Sequence, residues 1–234
     1  IDRPMRPLFP KDYRNDVTLN NMVMSVDPQC NPEVVAMLGS SIATCISDIP
    51  FDGPCAATQV GMIDGELIIN PTLEQNAKSD LKLTVASTRE KVIMIEAGAN
   101  EVPEAKMIEA IFEADKVNKE IIAFIDKIVA DCGKAKHSYE SCAVPEELFA
   151  AMKEIVTPEE MEVAVFSDDK QTREENIRQV TAKLEGAFAD NEEWLAVLGE
   201  AVYQYQKKTV RKMILKDHKR PDGRAITQIR PLAA

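Results

Sequence analysis

The spacing of the apolar residues changes at Pro103, after a long region with a sheet-like pattern. Before it, between residues 55 and 97, apolar and polar residues alternate over short runs that are separated by turn residues such as Asp64-Gly65. Alternation of period two around an Asp-Gly turn predicts an antiparallel sheet. After Pro103, apolar residues recur at intervals of three and four, the period of an amphipathic helix. The pattern predicts an α+β fold, a sheet with packed helices followed by a small all-helical bundle.

The same periods, with turn and cap residues, predict the separate elements of the sheet region. A helix over about residues 32–47 begins at Pro32, capped by Asn31 or by the preceding turn, and its scarcity of charge predicts a core position packed on two sides. A short helical turn is predicted after Asn70-Pro71-Thr72. Strands are predicted at residues 17–26, 55–63, 66–70, 80–87 and 91–97.

The rest of the sequence predicts helices joined by one linker. Residues 103–133 form one long amphipathic helix, or two with a break, that is long enough to cover a sheet face. Residues 134–144 show no period and predict the linker. Further helices are predicted at residues 145–155, from Thr157 as N-cap, at residues 169–188 and at residues 190–214.

The first ten residues place two arginines among three prolines. Arg3 and Arg6 each precede a proline, which biases the backbone of both toward an extended conformation. Guanidinium groups match phosphate oxygens in geometry and stay charged at any working pH. One interpretation is therefore a stiff clamp that aims both side chains at phosphate. The other is a surface segment whose arginines pair with Asp2 and Asp12.

Positive charge is concentrated at one end of an acidic chain. The net charge is −11, yet residues 207–234 hold nine Lys or Arg and only two Asp or Glu. Such asymmetry is more informative about partners than the total charge. The basic segment, residues 207–220, has two interpretations, and the residues alone favour neither. It can complement the dipole at a helix C-terminus, or it can follow a nucleic-acid backbone.

The residues alone indicate no catalytic set. Nucleotide-binding glycine loops, nucleophile elbows and His-Glu-x-x-His are absent. Cys132, His137 and Cys142 lack a fourth ligand and a paired Cys-x-x-Cys, so zinc is disfavoured, and His137 and His218 are interpreted as solvated. The five widely spaced cysteines predict a reduced, cytoplasmic protein. No apolar run is long enough to span a membrane, and the sequence reads as a piece of a longer protein.

Several segments, in this order, resemble the bacterial polynucleotide phosphorylase family. The opening Ile-Asp-Arg-Pro-Met-Arg-Pro-Leu-Phe-Pro is similar to a motif of the family's first ribonuclease PH-like core, and Ile49-Pro50-Phe51-Asp52-Gly53-Pro54 and Ile69-Asn70-Pro71-Thr72 follow its pattern. Arg220-Pro221-Asp222-Gly223-Arg224, with Ile229-Arg230-Pro231-Leu232, is similar to the start of a second such core. Asp48 and Gln59 depart from the family pattern, since glycine and a basic residue are common there.

The resemblance implies three parts. Residues 1–140 would be the later part of a ribonuclease PH-like core, residues 145–216 an all-helical interdomain region, and residues 217–234 the truncated start of a second core. It also implies that the catalytic residues, and the sites for Mg²⁺ and inorganic phosphate, lie outside this chain. Within the chain, the resemblance implies a binding role only for Arg3 and Arg6, as RNA-binding residues.

The implied function is that of a phosphate-dependent 3′-to-5′ exoribonuclease, or polyribonucleotide nucleotidyltransferase, in mRNA degradation. The chain would contribute RNA-path and ring-assembly surfaces and be inactive alone. The implied partners are single-stranded RNA, two further copies in a homotrimer and RNA-degradation machinery, in the cytoplasm and without a membrane. The alternative is a non-catalytic helical scaffold or protein-interaction module. A zinc-linked module is a third alternative.

Overall fold

The computed structural model describes residues 1–27 and 29–232. Its chain divides into two compact units, Ile1–Ser141 and Cys142–Ala234. The first unit holds one four-stranded sheet and the helices packed on it, and the second holds helices. This is the predicted α+β arrangement. The three-part division inferred from the resemblance stays a prediction.

The sheet of the first unit is antiparallel throughout, with strand order β2-β1-β3-β4. The Asp64-Gly65 hairpin is confirmed, and both residues have positive φ, 52° and 81°, as a tight two-residue turn requires. Asn70 also has positive φ, and Thr72 caps the short helix that follows. The strands are β1 (Ala56–Ile63), β2 (Glu66–Ile69), β3 (Leu81–Ser87) and β4 (Val92–Ala99).

One face of the sheet is covered by a single helix, as the long apolar stripe after Pro103 predicts. Counting the short helices α1 (Asp2–Met5) and α3 (Leu73–Lys78), this helix is α4 (Glu104–Cys132). Its Ala110 and Ala114 are fully buried against the sheet. Small side chains let the helix backbone approach closely, so the larger apolar residues come from the strands. These are Val60, Met62, Leu81, Leu83 and Val85.

The opposite face is covered in part by α2 (Pro32–Ile46), the predicted core helix. Asn31 caps it, and its side chain accepts a hydrogen bond from the Glu33 amide at 2.8 Å. Met37 packs into a small cluster with Met5 and Cys55. The low charge of this helix is thus explained by burial.

Two predictions about irregular segments are wrong. Residues 17–26 form no strand, because no neighbouring strand pairs with their backbone N–H and C=O groups. Their side chains are not buried against a sheet either, since Met24 is 84% exposed. The linker is irregular as predicted but is attached, because the Lys134 amide donates to Ile46 O at 3.0 Å. His137 is not simply solvated. It is half-buried, its ring lies 3.3 Å from the Tyr13 hydroxyl, and its amide donates to Asp48 O.

The described residues of the second unit form four helices around one apolar core. The predicted N-cap at Thr157 is confirmed as a reciprocal capping box with Glu160. Tyr205, buried in the core, donates its hydroxyl hydrogen to Val156 O at 2.9 Å. The helices are α5 (Glu146–Ile155), α6 (Pro158–Val165), α7 (Lys170–Ala187) and α8 (Glu192–Leu215). Among the described residues of both units, no helix is long and apolar enough to cross a membrane.

Candidate functional site

The segment that carries Arg3 and Arg6 is helical rather than extended, which corrects the prediction from its prolines. Arg3 lies in α1, and Arg6 begins a 3₁₀ turn, Arg6–Leu8. Pro4 and Pro7 both fall in a first helical turn, where a backbone N–H has no intrahelical partner. The missing proline donor therefore costs nothing there, and the bias of the residue before proline is overridden.

Both arginines are exposed and both are engaged by carboxylates. Arg6 Nη2 lies 2.8 Å from Asp2 Oδ1, and the hydrogen bond to this carboxylate raises the pKa of the Arg6 guanidinium. Arg3 Nη1 lies 3.0 Å from Glu96 Oε2. The pairing interpretation was therefore right for Asp2. Glu96, on β4, could not be identified from the sequence because it is 93 residues away from its partner.

Asp12, the other carboxylate proposed for the arginines, binds the end of the first unit instead. It accepts hydrogen bonds from the Tyr139 hydroxyl at 2.9 Å and from the Ser141 hydroxyl at 2.5 Å. The hydrogen bonds from Ser141 and Tyr139 lower the pKa of the Asp12 carboxyl. Its role is thus to hold the linker against the opening segment.

A groove of about 830 Å³ lies beside the arginine segment on the α2 face of the sheet. Gln59, in its lining, is 2% exposed, and its side-chain carbonyl accepts a hydrogen bond from Asn31 at 2.8 Å. The departure from the family pattern at this position therefore places a neutral, satisfied amide in the groove. Its wall carries one positive charge, on Lys82, and two negative charges, on Glu33 and Glu96. The groove has the chemistry of a packing surface more than that of a catalytic centre.

No set of three or more His, Cys, Asp or Glu side chains that could hold a metal occurs in the part of the chain that the structure describes. Cys132, His137 and Cys142 therefore do not come together as a zinc site there. The two carboxylates nearest to the predicted RNA contacts, Asp2 and Glu96, are occupied by guanidinium groups. These residues do not fit a Mg²⁺ site.

The second unit carries a different arrangement of positive charge near the end of α8. Five cations there are exposed, and no carboxylate among the described residues lies within ion-pair distance of them. One of them, Lys208, places its ammonium nitrogen 3.9 Å from the centre of the Phe149 ring. The five are Lys207, Lys208, Arg211, Lys212 and Lys216.

The two arginines of the Arg220-Pro-Asp-Gly-Arg224 segment form ion pairs with the aspartate between them. Arg224 Nη2 lies 2.6 Å from Asp222 Oδ2, and Arg220 Nε lies 3.6 Å from Asp222 Oδ1. The hydrogen bonds from Arg224 lower the pKa of the Asp222 carboxyl. Gly223 holds the turn with a φ of 76°, a conformation that favours glycine. The turn is closed by its own charged groups, and Pro221 O also accepts a hydrogen bond from the Ser167 amide at 2.9 Å.

Comparison with known families agrees with this arrangement. Residues 53–117, which run from the start of β1 into α4, match the model of the 3′ exoribonuclease family, domain 2. Residues 147–225, which cover the helices of the second unit, match the model described as polyribonucleotide nucleotidyltransferase, RNA binding domain. The first unit thus belongs to the 3′ exoribonuclease class of domains, which confirms the predicted ribonuclease PH-like sheet.

Curated relatives carry the identification further. A polyribonucleotide nucleotidyltransferase of Lachnoclostridium phytofermentans is 74% identical over 235 residues, which is 100% of this chain and 34% of that protein. The enzyme of the same name from Ruminiclostridium cellulolyticum is 48% identical over 100% of this chain and 33% of its own. This chain belongs to the polyribonucleotide nucleotidyltransferase family and spans about a third of the length of the relatives it matches.

A likeness to one solved structure is weaker. The crystal structure of rice (Oryza sativa) Rrp46 aligns with 45% of this chain and 51% of that chain, at 14% identity and a TM-score of 0.41. A score at this level supports no argument.

Proposed function

We propose that this chain is part of a phosphate-dependent 3′-to-5′ exoribonuclease that acts in mRNA degradation. In that reaction inorganic phosphate attacks the terminal phosphodiester of RNA and releases a nucleoside diphosphate, and the reverse reaction extends the RNA. One observation carries the proposal. The two matched models follow each other along this chain, and the whole of this chain is 74% identical to the matching 34% of a named enzyme.

The catalytic groups belong, in this proposal, to parts of the enzyme outside this chain. The described residues offer no metal-binding cluster, and Mg²⁺ and inorganic phosphate are assigned to those other parts. The chain alone is then inactive. Its share of the function is to contact RNA and to shape the assembly, proposed here as a homotrimer that works with RNA-degradation machinery in the cytoplasm.

Arg3 and Arg6 remain proposed contacts to single-stranded RNA. To bind a phosphate, each guanidinium must exchange a carboxylate oxygen for a phosphate oxygen. Both ion pairs are largely exposed, and exposed pairs contribute little to stability, so the exchange is feasible. The affinity gained from each arginine is reduced by the carboxylate that it leaves.

A non-catalytic scaffold is the second candidate, and one observation favours it. The α4 helix presents large apolar side chains to solvent, among them Ile108, Phe112 and Phe124 at 53%, 67% and 56% exposure. Contiguous exposed apolar patches are typical of protein contacts, and Ile108 and Phe112 lie four residues apart on one side of the helix. In this case, Arg3 and Arg6 would serve only their intramolecular ion pairs.

A chimera distinguishes the two candidates. The matching third of the L. phytofermentans relative is replaced by this chain, and phosphate-dependent release of ADP from poly(A) is measured. We expect release by the chimera and none by the chain alone. In the same chimera, Arg3→Glu with Arg6→Glu should weaken RNA binding at low salt. Unchanged RNA affinity would favour the scaffold, and strong ADP release by the chain alone would refute the assignment of catalysis to other parts.

A further inference from the structure

The last third of α8 forms what we call the α8 basic stripe, which consists of Lys207, Lys208, Arg211 and Lys212. All four side chains are exposed. No carboxylate among the described residues of the chain pairs with any of them. Their charge is therefore available to a ligand.

Several other cations of the second unit are paired with carboxylates. Lys170, Arg178 and Lys183 lie 3.6, 2.6 and 3.0 Å from the carboxylates of Glu174, Glu175 and Glu160. An acidic unit with many carboxylates to spare thus leaves the stripe unpaired. A free cation can bind an anion without first breaking an ion pair, and this distinguishes the stripe from Arg3 and Arg6.

The spacing of the stripe suits a repeating anion. Lys207 and Arg211 are four residues apart, as are Lys208 and Lys212, so each pair lies on one side of the helix and advances by about 6 Å along its axis. Tyr203 precedes Lys207 by the same interval and is 57% exposed. An exposed aromatic ring in line with cations can stack on a base of a single strand.

A second helix adds a cation at the same place. Lys153 of α5 and Lys208 of α8 both lie over the ring of Phe149, at 4.9 and 3.9 Å from its centre. Both ammonium groups therefore contact the same ring, and neither forms an ion pair with a carboxylate of the described residues. Two like charges in this position repel, and an anionic ligand relieves that repulsion.

The helix dipole accounts for only part of the stripe. Cations favour the C-terminal end of a helix, but the effect falls off within the last turn. Lys212 is the basic residue of the last turn of α8. Lys207 and Lys208 lie more than a turn before the end at Leu215. Their positions need another explanation.

We infer that the α8 basic stripe, with Lys153 and Tyr203, binds the sugar-phosphate backbone of single-stranded RNA. The inference rests on the proposed function for the class of ligand. The contact is electrostatic and independent of base sequence, because the ammonium and guanidinium groups of the stripe bind phosphate oxygens, and stacking of a base on Tyr203 tolerates any base.

The test measures the salt dependence of RNA binding by the whole chain. A fluorescent oligouridylate is titrated with the wild type, with Lys207→Gln/Arg211→Gln, and with the matched control Lys170→Gln/Arg178→Gln, which removes the same charge from paired cations. Between about 50 and 200 mM salt, loss of two phosphate contacts should lower the slope of log affinity against log salt by about 1.4. Affinity at the lowest salt should fall by about tenfold, while the control should change little.

Three outcomes would overturn the inference. They are no RNA binding by the wild type at low salt, an equal loss in both double variants, and binding of phosphatidylserine vesicles but not of RNA, which would indicate a membrane surface. Failure of the chimera to release ADP, with stripe-dependent RNA binding intact, would remove only the proposed activity. The two proposals can therefore fail separately.

Discussion

Arg6 is held by Asp2 through a forked ion pair, with Nη2 2.8 Å from Oδ1 and Nε 3.1 Å from Oδ2. Both side chains are largely exposed, at 77% and 66%. The carboxylate occupies the same edge of the guanidinium that a phosphate would use. Asp2 is therefore a direct competitor of any RNA phosphate at Arg6.

This competition predicts opposite effects of two substitutions. Asp2→Asn should raise the RNA affinity of the chain by about two- to threefold at low salt, because it frees Arg6 and removes a negative charge. Arg6→Gln should lower it. Fluorescence anisotropy with an oligouridylate measures both. Glu96→Gln is the matched variant for Arg3. Equal affinities of all three variants and the wild type would mean that neither arginine contacts RNA.

Lys136 should stabilise the first unit through the end of α2. Its ammonium nitrogen lies 3.1, 2.9 and 2.7 Å from the carbonyl oxygens of Thr44, Cys45 and Ser47. A cation there satisfies carbonyls that the helix leaves free and complements its dipole. Lys136→Met should lower the free energy of unfolding by about 1–2 kcal/mol in urea. Lys134→Met is the control, since Lys134 is held through its amide, and an equal loss there would contradict the prediction.

The elements of the fold were predictable where the signal is local. The Asp64-Gly65 turn, the Asn31 cap and the Thr157 capping box each act within a few residues, so the sequence states them directly. Residues 17–26 failed because alternation does not reveal whether a partner strand exists. The extended backbone predicted for residues 1–10 was wrong because a proline is compatible with both an extended chain and a first helical turn.

The candidate site was less predictable, because its partners are distant in sequence. That Arg3 would meet Glu96 depends on the packing of α1 against β4, which no local pattern encodes. The absence of carboxylate partners for the α8 basic stripe also depends on tertiary packing and is not encoded by any local pattern. The sequence showed the cluster of lysines, but only the structure shows that no carboxylate among the described residues pairs with them.

The five cysteines should differ sharply in reactivity. Cys55 is fully buried, and burial raises the pKa of its thiol to about 11, while burial also raises the pKa of Cys45. The thiolate is the reactive form, so both should resist a thiol reagent at about pH 8 until the chain unfolds. Cys30 and Cys132 are exposed and should react first. Mass spectrometry of Cys30→Ser/Cys132→Ser checks this, and rapid labelling of Cys55 in the folded variant would contradict it.

Asn118 should be the most sensitive polar residue of the first unit. It is fully buried, donates to Val85 O at 2.9 Å and to Ser87 Oγ at 3.2 Å, and accepts from Thr58 Oγ1 at 2.7 Å. Asn118→Leu keeps the approximate volume but leaves these buried groups unpaired, which should cost about 2–4 kcal/mol.

The single tryptophan makes this loss assignable to one unit. Trp194 lies in the second unit, so its fluorescence follows the unfolding of that unit, whereas circular dichroism follows both. In urea, Asn118→Leu should move the sheet transition and leave the Trp194 transition in place. Thr58→Val, which removes only one partner of Asn118, should cost less. A shift of the Trp194 transition by the same amount would show that the two units unfold together, because loss of a network confined to the first unit would then destabilise both.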